Sequence, residues 1–252
     1  MKSERIEAIL SAVKGRDILN LGCVNHNLPS TDEEKERWLQ LRLMSRFPDA
    51  NILGLDIDRE NVARMRLLGM NVEVGDAQTL NYVAEFDTII LGEIIEHLGN
   101  PGACLEGCRR ALRPGGRIVV STPNIFCAMQ MLMYLKNFDH AFNPEHVIWF
   151  CPQTLRTLAE RSGLEMQSLN FVDDLAPDVV RDLPYRLFAY LWTGLRGILP
   201  RRYRNTMIAI CAPRDIPSHK VRDVDVSVPA TSSEKIDVLE LKRAQSHFPA
   251  RP

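Results

Sequence analysis

The sequence predicts an α/β fold in which helices cover both faces of a doubly wound, mostly parallel sheet. Short apolar runs alternate with amphipathic stretches along the first half of the chain, a rhythm typical of such sheets. The runs at 88–91 (TIIL) and 118–120 (IVV) show no polar alternation, which indicates strands buried on both faces. The 252 residues suffice for one complete α/β domain.

The individual elements follow from apolar spacing and from the residues that end each run. Apolar residues at helical spacing stop at Gly15, and residues 17–21 then read as a buried strand. One helix is predicted over 33–47, with Trp38 and Leu41 on a shared face. The remaining predicted elements are strands at 51–55, 72–74, 86–91, 117–121, 166–172 and 207–212, and helices at 59–69, 101–112 and 153–162.

The two ends of the chain differ from its middle. Residues 1–15 are charged and helical in period, so we expect no signal peptide there. Residues 213–252 contain five prolines, mixed charge and few apolar residues, so we expect a disordered tail with at most a short helix at 233–243. The predicted domain is therefore 1–212, with a helical insertion at 173–206 before the last strand.

Composition argues against several classes of protein. The net charge of −1 argues against nucleic-acid binding, which usually requires a basic excess. No run of about 18 apolar residues occurs, so we expect no membrane-spanning helix. The six cysteines include no C-x-x-C pair and no partner set for zinc, so we expect reduced cysteines in a cytoplasmic protein without a metal site.

The residues that directly follow the predicted strands are the candidate binding residues, because ligands of such sheets lie beyond the carboxyl ends of the strands. An acid that ends the second strand can accept hydrogen bonds from both hydroxyls of a ribose. A glycine after the first strand allows the backbone to approach a ligand closely. The residues at these strand ends and beside them are Gly22, Cys23, Asp56, Ile57, Asp76, Ala77, Gly92, Glu93 and 122–124.

Each acid also has a purely structural interpretation. Asp56 could cap the helix at 59–69, but Asp58 stands next to the helix start and is better placed. Asp76 could accept from the exocyclic amine of a purine, or could simply form a turn after Gly75. A nicotinamide dinucleotide is disfavoured, since the loop at 22–27 has one glycine where G-x-G-x-x-G is expected.

Residues 86–124 contain F-D-x-I, E-x-I-E-H-L, N-P, L-R-P-G-G and S-T-P-N in a specific order and spacing. With these motifs, the chain resembles the class I S-adenosylmethionine-dependent methyltransferases. It is most similar to the group with the ubiquinone-pathway O-methyltransferases and enzymes of natural-product and cell-surface sugar pathways. The resemblance covers about residues 15–172 and includes H-x-x-x-F from His146 to Phe150. It implies a seven-stranded Rossmann-like sheet whose last two strands form an antiparallel hairpin, with S-adenosylmethionine as cofactor.

The resemblance also implies roles for single residues. Gly22 matches the glycine of the cofactor loop, Asp56 the ribose acid and Asp76 the adenine-side acid. Gly92 and Glu93 match positions that line the methionine end of the cofactor.

The first motif departs from the family pattern D-x-G-x-G-x-G. Here the four positions hold Asn20, Gly22, Val24 and His26. Asn20 stays a candidate cofactor residue, but its amide offers no carboxylate near the cofactor's amino group. With two glycines absent, residues 25–32 are predicted to form a longer loop of different path.

Methyl transfer needs mainly alignment, together with a proton acceptor when the accepting oxygen has a high pKa. The candidates are Glu93, His97 and His146. Glu93 is more readily interpreted as lining the cofactor, and His97 as a structural helix residue. For His146, packing against Trp149 or Phe150 is an equal alternative.

Residues 183–205 contain no acid and five arginines. Their apolar residues fall on one face of a helix that is too short to span a bilayer but suits the surface of an anionic membrane. The alternative is a lid helix over the acceptor pocket, and both hold if the acceptor is lipid-linked. The apolar residues are Leu187, Phe188, Leu191, Trp192, Leu195 and Leu199.

Two functions compete on this evidence. The first is a cytoplasmic methyltransferase that methylates an oxygen of a small-molecule or lipid-linked acceptor and is peripheral at the inner membrane surface if residues 183–205 contact the membrane. The second is a non-catalytic module with the same fold that binds the cofactor or a partner, motivated by the altered first motif. The enzyme is favoured because Asp56, Asp76 and the 93–97 segment are intact.

Overall fold

The structure is a computed structural model that describes residues 3–24, 31–128, 130–131, 143–173 and 200–214. Several predictions lie outside these ranges: the helix at 233–243, residues 174–199 of the insertion, and His26. The chain divides into two units, Met1–Arg214 and Asp215–Pro252, of which the second also lies outside the described residues. The domain boundary at 212 and the disordered tail therefore stay predictions.

Seven strands form one sheet in the described part of the chain. They are β1 (Asp17–Leu21), β2 (Asn51–Asp56), β3 (Val72–Val74), β4 (Phe86–Gly92), β5 (Leu112–Pro123), β6 (Leu164–Val172) and β7 (Thr206–Pro213). Their order is β3-β2-β1-β4-β5-β7-β6. β1 to β5 pair in parallel, whereas β7 is antiparallel to both β5 and β6. The predicted sheet and its antiparallel last pair are confirmed.

Six α-helices accompany the sheet within the described residues. They are α1 (Glu4–Ala12), α2 (Asp32–Glu36), α3 (Leu39–Arg46), α4 (Arg59–Leu67), α5 (Pro101–Ala111) and α6 (Pro152–Arg161). In β4, Ile89 and Leu91 pack with α5 and α6, while Ile90 packs with α1 and α3. Side chains of one strand thus reach opposite layers, so the sheet is covered on both faces. None of the described helices is long and apolar enough to cross a membrane.

The single helix predicted over 33–47 is wrong, because the chain breaks into α2 and α3. Trp38 adopts an extended conformation between them (φ −94°, ψ 110°). Its indole Nε1 donates to the carbonyl oxygen of Cys23 at 2.8 Å, and its ring packs among the side chains beneath α4. This tertiary contact overrides the local helical pattern. The buried face of α3 is consequently Leu39, Gln40 and Leu43 rather than the predicted face with Leu41.

Asp87, the acid of the F-D-x-I motif, fixes the entry into β1. Its Oδ2 accepts from the backbone N–H of Arg16 at 2.9 Å and of Asp17 at 3.1 Å. Gly15 approaches so closely that a Cβ there would lie 2.3 Å from the Asp87 side chain, and its φ is +74°. The N–H of Asp17, and then that of Arg16, hold the pKa of the Asp87 carboxyl below its usual range.

In the Asp87→Asn variant, the free energy of unfolding should therefore depend less steeply on pH in the acid range. Because the folded-state pKa lies below the unfolded value of about 3.9, the stabilisation is complete above that value and is lost as pH falls through the folded pKa. We expect the variant to lose on the order of 1 kcal/mol of unfolding free energy at neutral pH. Urea titrations between neutral and acid pH measure this. If the free energy of unfolding fell by the same amount in parent and variant from neutral to acid pH, the prediction would be contradicted.

Candidate cofactor and acceptor site

A cavity of about 640 Å³ lies at the carboxyl ends of the central strands. It opens where the order reverses, between β1 and β4, which is the expected ligand position in such sheets. Ten of the residues predicted for the site line this one cavity. They are Gly22, Cys23, Asp56, Ile57, Asp76, Ala77, Gly92, Glu93, His97 and His146.

Asp56 ends β2 and is half-buried at the cavity wall. Its Oδ2 accepts from the backbone N–H of Val24 at 2.9 Å, and its Oδ1 from that of Asp58 at 3.0 Å. Each carboxylate oxygen can accept more than one hydrogen bond, so capacity remains for a ligand. The helix-capping alternative belongs to Asp58, whose side chain accepts from the N–H of Asn61 at the start of α4.

Gly22 begins the loop after β1 with φ +69°, a conformation that favours glycine. A Cβ at this position would lie 3.1 Å from Ile94. The next residue, Cys23, has its thiol buried, and burial followed by the nearby Asp56 raises its pKa to about 12. Cys23 therefore lines the cavity as a small apolar residue rather than a reactive thiol.

Next to Asp56, the cavity wall contains apolar side chains that suit a flat ring. Ile57 is 72 % exposed, an unusual position for a large apolar side chain, and it borders the cavity. Ala77 lies in the same wall. Asp76 caps the short turn Ala77–Thr79, since its Oδ1 accepts from the N–H of Gln78 at 2.8 Å. Asp76 is thus a turn residue that also lines the cavity, and its predicted hydrogen bond to a purine amine stays a prediction.

The opposite side of the cavity is charged. Glu93 follows β4 in a left-handed conformation (φ +56°), which is strained for a residue other than glycine and typical of functional sites. Its carboxylate lies 3.8 Å from the guanidinium of Arg5, which reaches the cavity from α1. A Cβ on Gly92 would lie 2.8 Å from Leu39, so glycine allows α3 to pack against this strand end.

Asn20 is a predicted site residue that does not line the cavity, and the predicted residues 122–124 do not line it either. It is 1 % exposed and donates from Nδ2 to the Oε1 of Gln40, itself fully buried, at 2.9 Å. The structure thus places the leading position of the first motif inside the domain, paired with α3. The Asn20 Oδ1 and the Gln40 Nε2 have no hydrogen-bond partner.

Glu96, His97 and His146 meet at the charged side of the cavity. The rings of His97 and His146 lie edge to face with centroids 4.6 Å apart, and Trp149 lies 5.1 Å from the His146 ring. Burial, and then the neighbouring His97, lower the pKa of His146. His146 thus packs against Trp149 and also lines the cavity, and its catalytic role stays a prediction.

Glu96 is 1 % exposed, although carboxylates are rarely buried without a charged partner. Burial, and then the nearby Glu93, raise the pKa of Glu96 to about 8. Its backbone carbonyl accepts from the N–H groups of Val147 and Ile148 at 3.0 and 3.2 Å. This turn therefore anchors the segment that contains His146.

Sequence reasoning missed Arg5, Trp38 and Glu96 as site residues. Glu96 stood inside the quoted E-x-I-E-H-L motif, so a signal was present. Arg5 lies on an amphipathic helix and has no local signal, because only the packing of α1 brings it to the cavity.

The groups that line the cavity suit S-adenosylmethionine. Asp56 suits ribose hydroxyls, the exposed Ile57 suits a purine face, and Arg5 with Glu93 suits a carboxylate and an ammonium at the other end. A side chain at Gly22 or Gly92 would meet Ile94 or Leu39, so glycine keeps the wall closely packed at both positions. These residues fit the cofactor that the resemblance implies.

Comparison with known proteins agrees with this fold. A crystal structure of an S-adenosylmethionine-dependent methyltransferase from Archaeoglobus fulgidus superposes with a TM-score of 0.54 at 19 % identity, over 82 % of this chain and 90 % of that one. This likeness shows the fold.

Two curated relatives match in sequence. A probable S-adenosylmethionine-dependent methyltransferase from Mycolicibacterium smegmatis is 28 % identical, over 61 % of this chain and 53 % of the relative. A ubiquinone biosynthesis O-methyltransferase from Alkalilimnicola ehrlichii is 27 % identical, over 49 % of this chain and 48 % of the relative. The chain thus spans about half the length of these relatives. The family described as methyltransferase domain matches residues 2–169, which is more than half of the chain. The chain therefore belongs to the methyltransferase domain family.

Proposed function

We propose that the protein transfers a methyl group from S-adenosylmethionine to an oxygen of a small-molecule or lipid-linked acceptor. The family and the fold imply this cofactor. The observation that carries the proposal is the Asp56 carboxylate at the end of β2, held by two backbone N–H groups beside the reversal of strand order. An acid in this position suits the two hydroxyls of a ribose.

The remaining lining residues have complementary roles in this proposal. Ile57 and Ala77 offer apolar contact to the purine, and Asp76 offers an acceptor to its exocyclic amine. Arg5 holds the carboxylate of the amino-acid end and Glu93 its ammonium, as the charges of the two side chains favour. Glu93 replaces the missing acid at position 20, because the Asn20 side chain is turned away from the cavity into the domain.

S-adenosylmethionine supplies a methyl group that its sulfonium already activates, so the protein's task is alignment and proton removal. His97 and His146 face the cavity next to Glu93 and are the candidates to receive the proton of an acceptor hydroxyl. Their position at the charged side supports an acceptor that binds near the amino-acid end of the cofactor.

Oxygen is the proposed acceptor atom because the matched relatives include ubiquinone biosynthesis O-methyltransferases. A lipid-linked acceptor would agree with peripheral membrane contact through residues 183–205. In the described part of that segment, Arg201 and Arg202 are exposed. Membrane contact stays a prediction.

Calorimetric titration of the full chain with S-adenosylmethionine and S-adenosylhomocysteine tests the proposal. We expect one saturable site per chain for each compound. Transfer is then measured with a methyl-labelled cofactor and a panel of phenolic and polyprenylated phenolic acceptors. No binding in the titration would overturn the proposal. Binding without transfer to any acceptor would favour the non-catalytic module that the altered first motif motivates.

A further inference from the structure

Two separate segments bring three metal-ligating side chains together in the cavity. Glu96 and His97 belong to the turn Ile95–His97 after β4, and His146 comes from the segment before α6. One potential ligand atom from each of them lies within 4.8 Å of the other two. The three side chains are not an accidental surface group, since all line the same cavity and Glu96 is almost fully buried.

Two atoms of this group lack the partners that burial demands. The Oε2 of Glu96 accepts from the hydroxyl of Thr122 at 3.0 Å, but its Oε1 has no hydrogen-bond partner. The Nδ1 of His146 is likewise buried without one. Buried polar atoms are nearly always satisfied, and an exception calls for an explanation such as a bound ion. Both orphaned atoms belong to the same three-residue group, which points to one shared ligand.

We propose that Glu96, His97 and His146 bind one divalent transition-metal cation. Two imidazoles and one carboxylate suit Zn²⁺, Fe²⁺, Co²⁺ or Mn²⁺, whereas Mg²⁺ and Ca²⁺ prefer oxygen ligands throughout. The inference departs from the expectation of no metal site, which rested on cysteine spacing. None of these three ligands is a cysteine, and His146 lies about 50 residues from the other two in the chain, so no local motif reveals the set.

The surroundings favour a cation. Glu93 provides a second carboxylate near Glu96, and its charge acts on Glu96 more strongly than the positive charge of Arg5 does. The backbone also holds the ligands in place before any ion arrives, because the Glu96 carbonyl accepts from Val147 and Ile148. A site fixed in this way loses little conformational entropy on binding.

Three protein ligands leave coordination positions open, as in zinc enzymes that bind water or substrate at the metal. In this structure the ligands line the cavity, so the open positions are accessible to a molecule inside it. If the proposed function holds, the natural occupant is an acceptor hydroxyl, whose pKa a coordinated cation lowers so that its proton passes to solvent; as metal ligands, His97 and His146 then do not receive that proton themselves. This role of the cation rests on the proposed function. It favours acceptors with one hydroxyl group or with two adjacent hydroxyl groups. Cation binding itself does not depend on that function.

The test is calorimetric titration of the chelator-treated full chain with ZnCl₂ and with MnCl₂, each metal alone. We expect one equivalent to bind per chain and to raise the melting temperature. His146→Ala and Glu96→Gln should each weaken binding by about 10- to 100-fold. His247→Ala, which removes a histidine near the end of the chain, should leave it unchanged.

Circular dichroism of each variant in chelator establishes that it is folded, and the half-buried His146 is the safer substitution if Glu96→Gln unfolds. No saturable binding by the parent would overturn the inference, as would equal affinities of the parent and His146→Ala. Binding of S-adenosylhomocysteine is measured on the same samples with and without chelator. If it persists while the metal does not bind, the cation site alone is rejected and the proposed function stands.

Discussion

Asp56→Ala is expected to weaken the binding of S-adenosylmethionine by roughly 100-fold. Hydrogen bonds to a charged group contribute about 1.5–3 kcal/mol each, and a loss of about 3 kcal/mol corresponds to about two decades of affinity. The substitution also leaves the N–H groups of Val24 and Asp58 without their carboxylate. The loop after β1 and the start of α4 then lose a shared anchor, so the cofactor wall is affected on both sides of the ligand.

Asp49→Ala is the matched control, because this exposed acid lies near the opposite end of the same strand. Calorimetry with S-adenosylhomocysteine should give the parent affinity for Asp49→Ala and the large loss for Asp56→Ala. Asp56→Asn retains one acceptor oxygen and should fall between them. Equal affinities for the parent and Asp56→Ala would refute the role assigned to this carboxylate.

Trp38→Ala is expected to lower the free energy of unfolding by roughly 3–5 kcal/mol. The side chain is 4 % exposed and packs with Val62, Met65 and Val72, so its removal leaves a large cavity. It also deprives the Cys23 carbonyl of its indole donor. Since domains of this kind are stable by only about 5–15 kcal/mol, this is a large share of the total.

Trp38→Phe separates packing from hydrogen bonding. It keeps an aromatic ring but not the indole N–H, so we expect it to cost markedly less than the alanine variant, with about 1 kcal/mol due to the lost bond. Urea denaturation followed by circular dichroism measures both variants. A cost below about 1 kcal/mol for Trp38→Ala would show that the α2–α3 break does not depend on this contact.

The parallel strands could be predicted from the sequence, because strands that are buried on both faces consist of continuous apolar runs. β1 matches its prediction, and β2 to β4 extend theirs by at most one residue. β5 is less well predicted, since it begins at Leu112 and includes Pro114-Gly115-Gly116, which local sequence marks as a turn. The pairs with β4 pass from Leu112 directly to Arg117 with a register shift between them, so these three residues form an irregularity inside the strand, and Gly115 keeps a φ of +77°.

The lining residues that lie at strand ends were predicted, whereas those that helix packing brings to the cavity were missed. Asp56 and Gly22 occupy positions that the topology alone makes important. Arg5 and Trp38 reach the cavity through the packing of helices, which no periodicity encodes. Asn20 was assigned by motif position, but its partner Gln40 lies in a helix whose register the sequence did not reveal.

The two hydrogen bonds that the Glu96 carbonyl accepts from Val147 and Ile148 affect which side chains of this protein can change in evolution. These bonds are made of backbone atoms and join the turn after β4 to the segment before α6. Main-chain bonds place few demands on side-chain identity, so Val147, which is exposed, can vary in evolution without breaking them. Under the proposed function, side chains beside the acceptor can then change while the turn after β4 keeps its position.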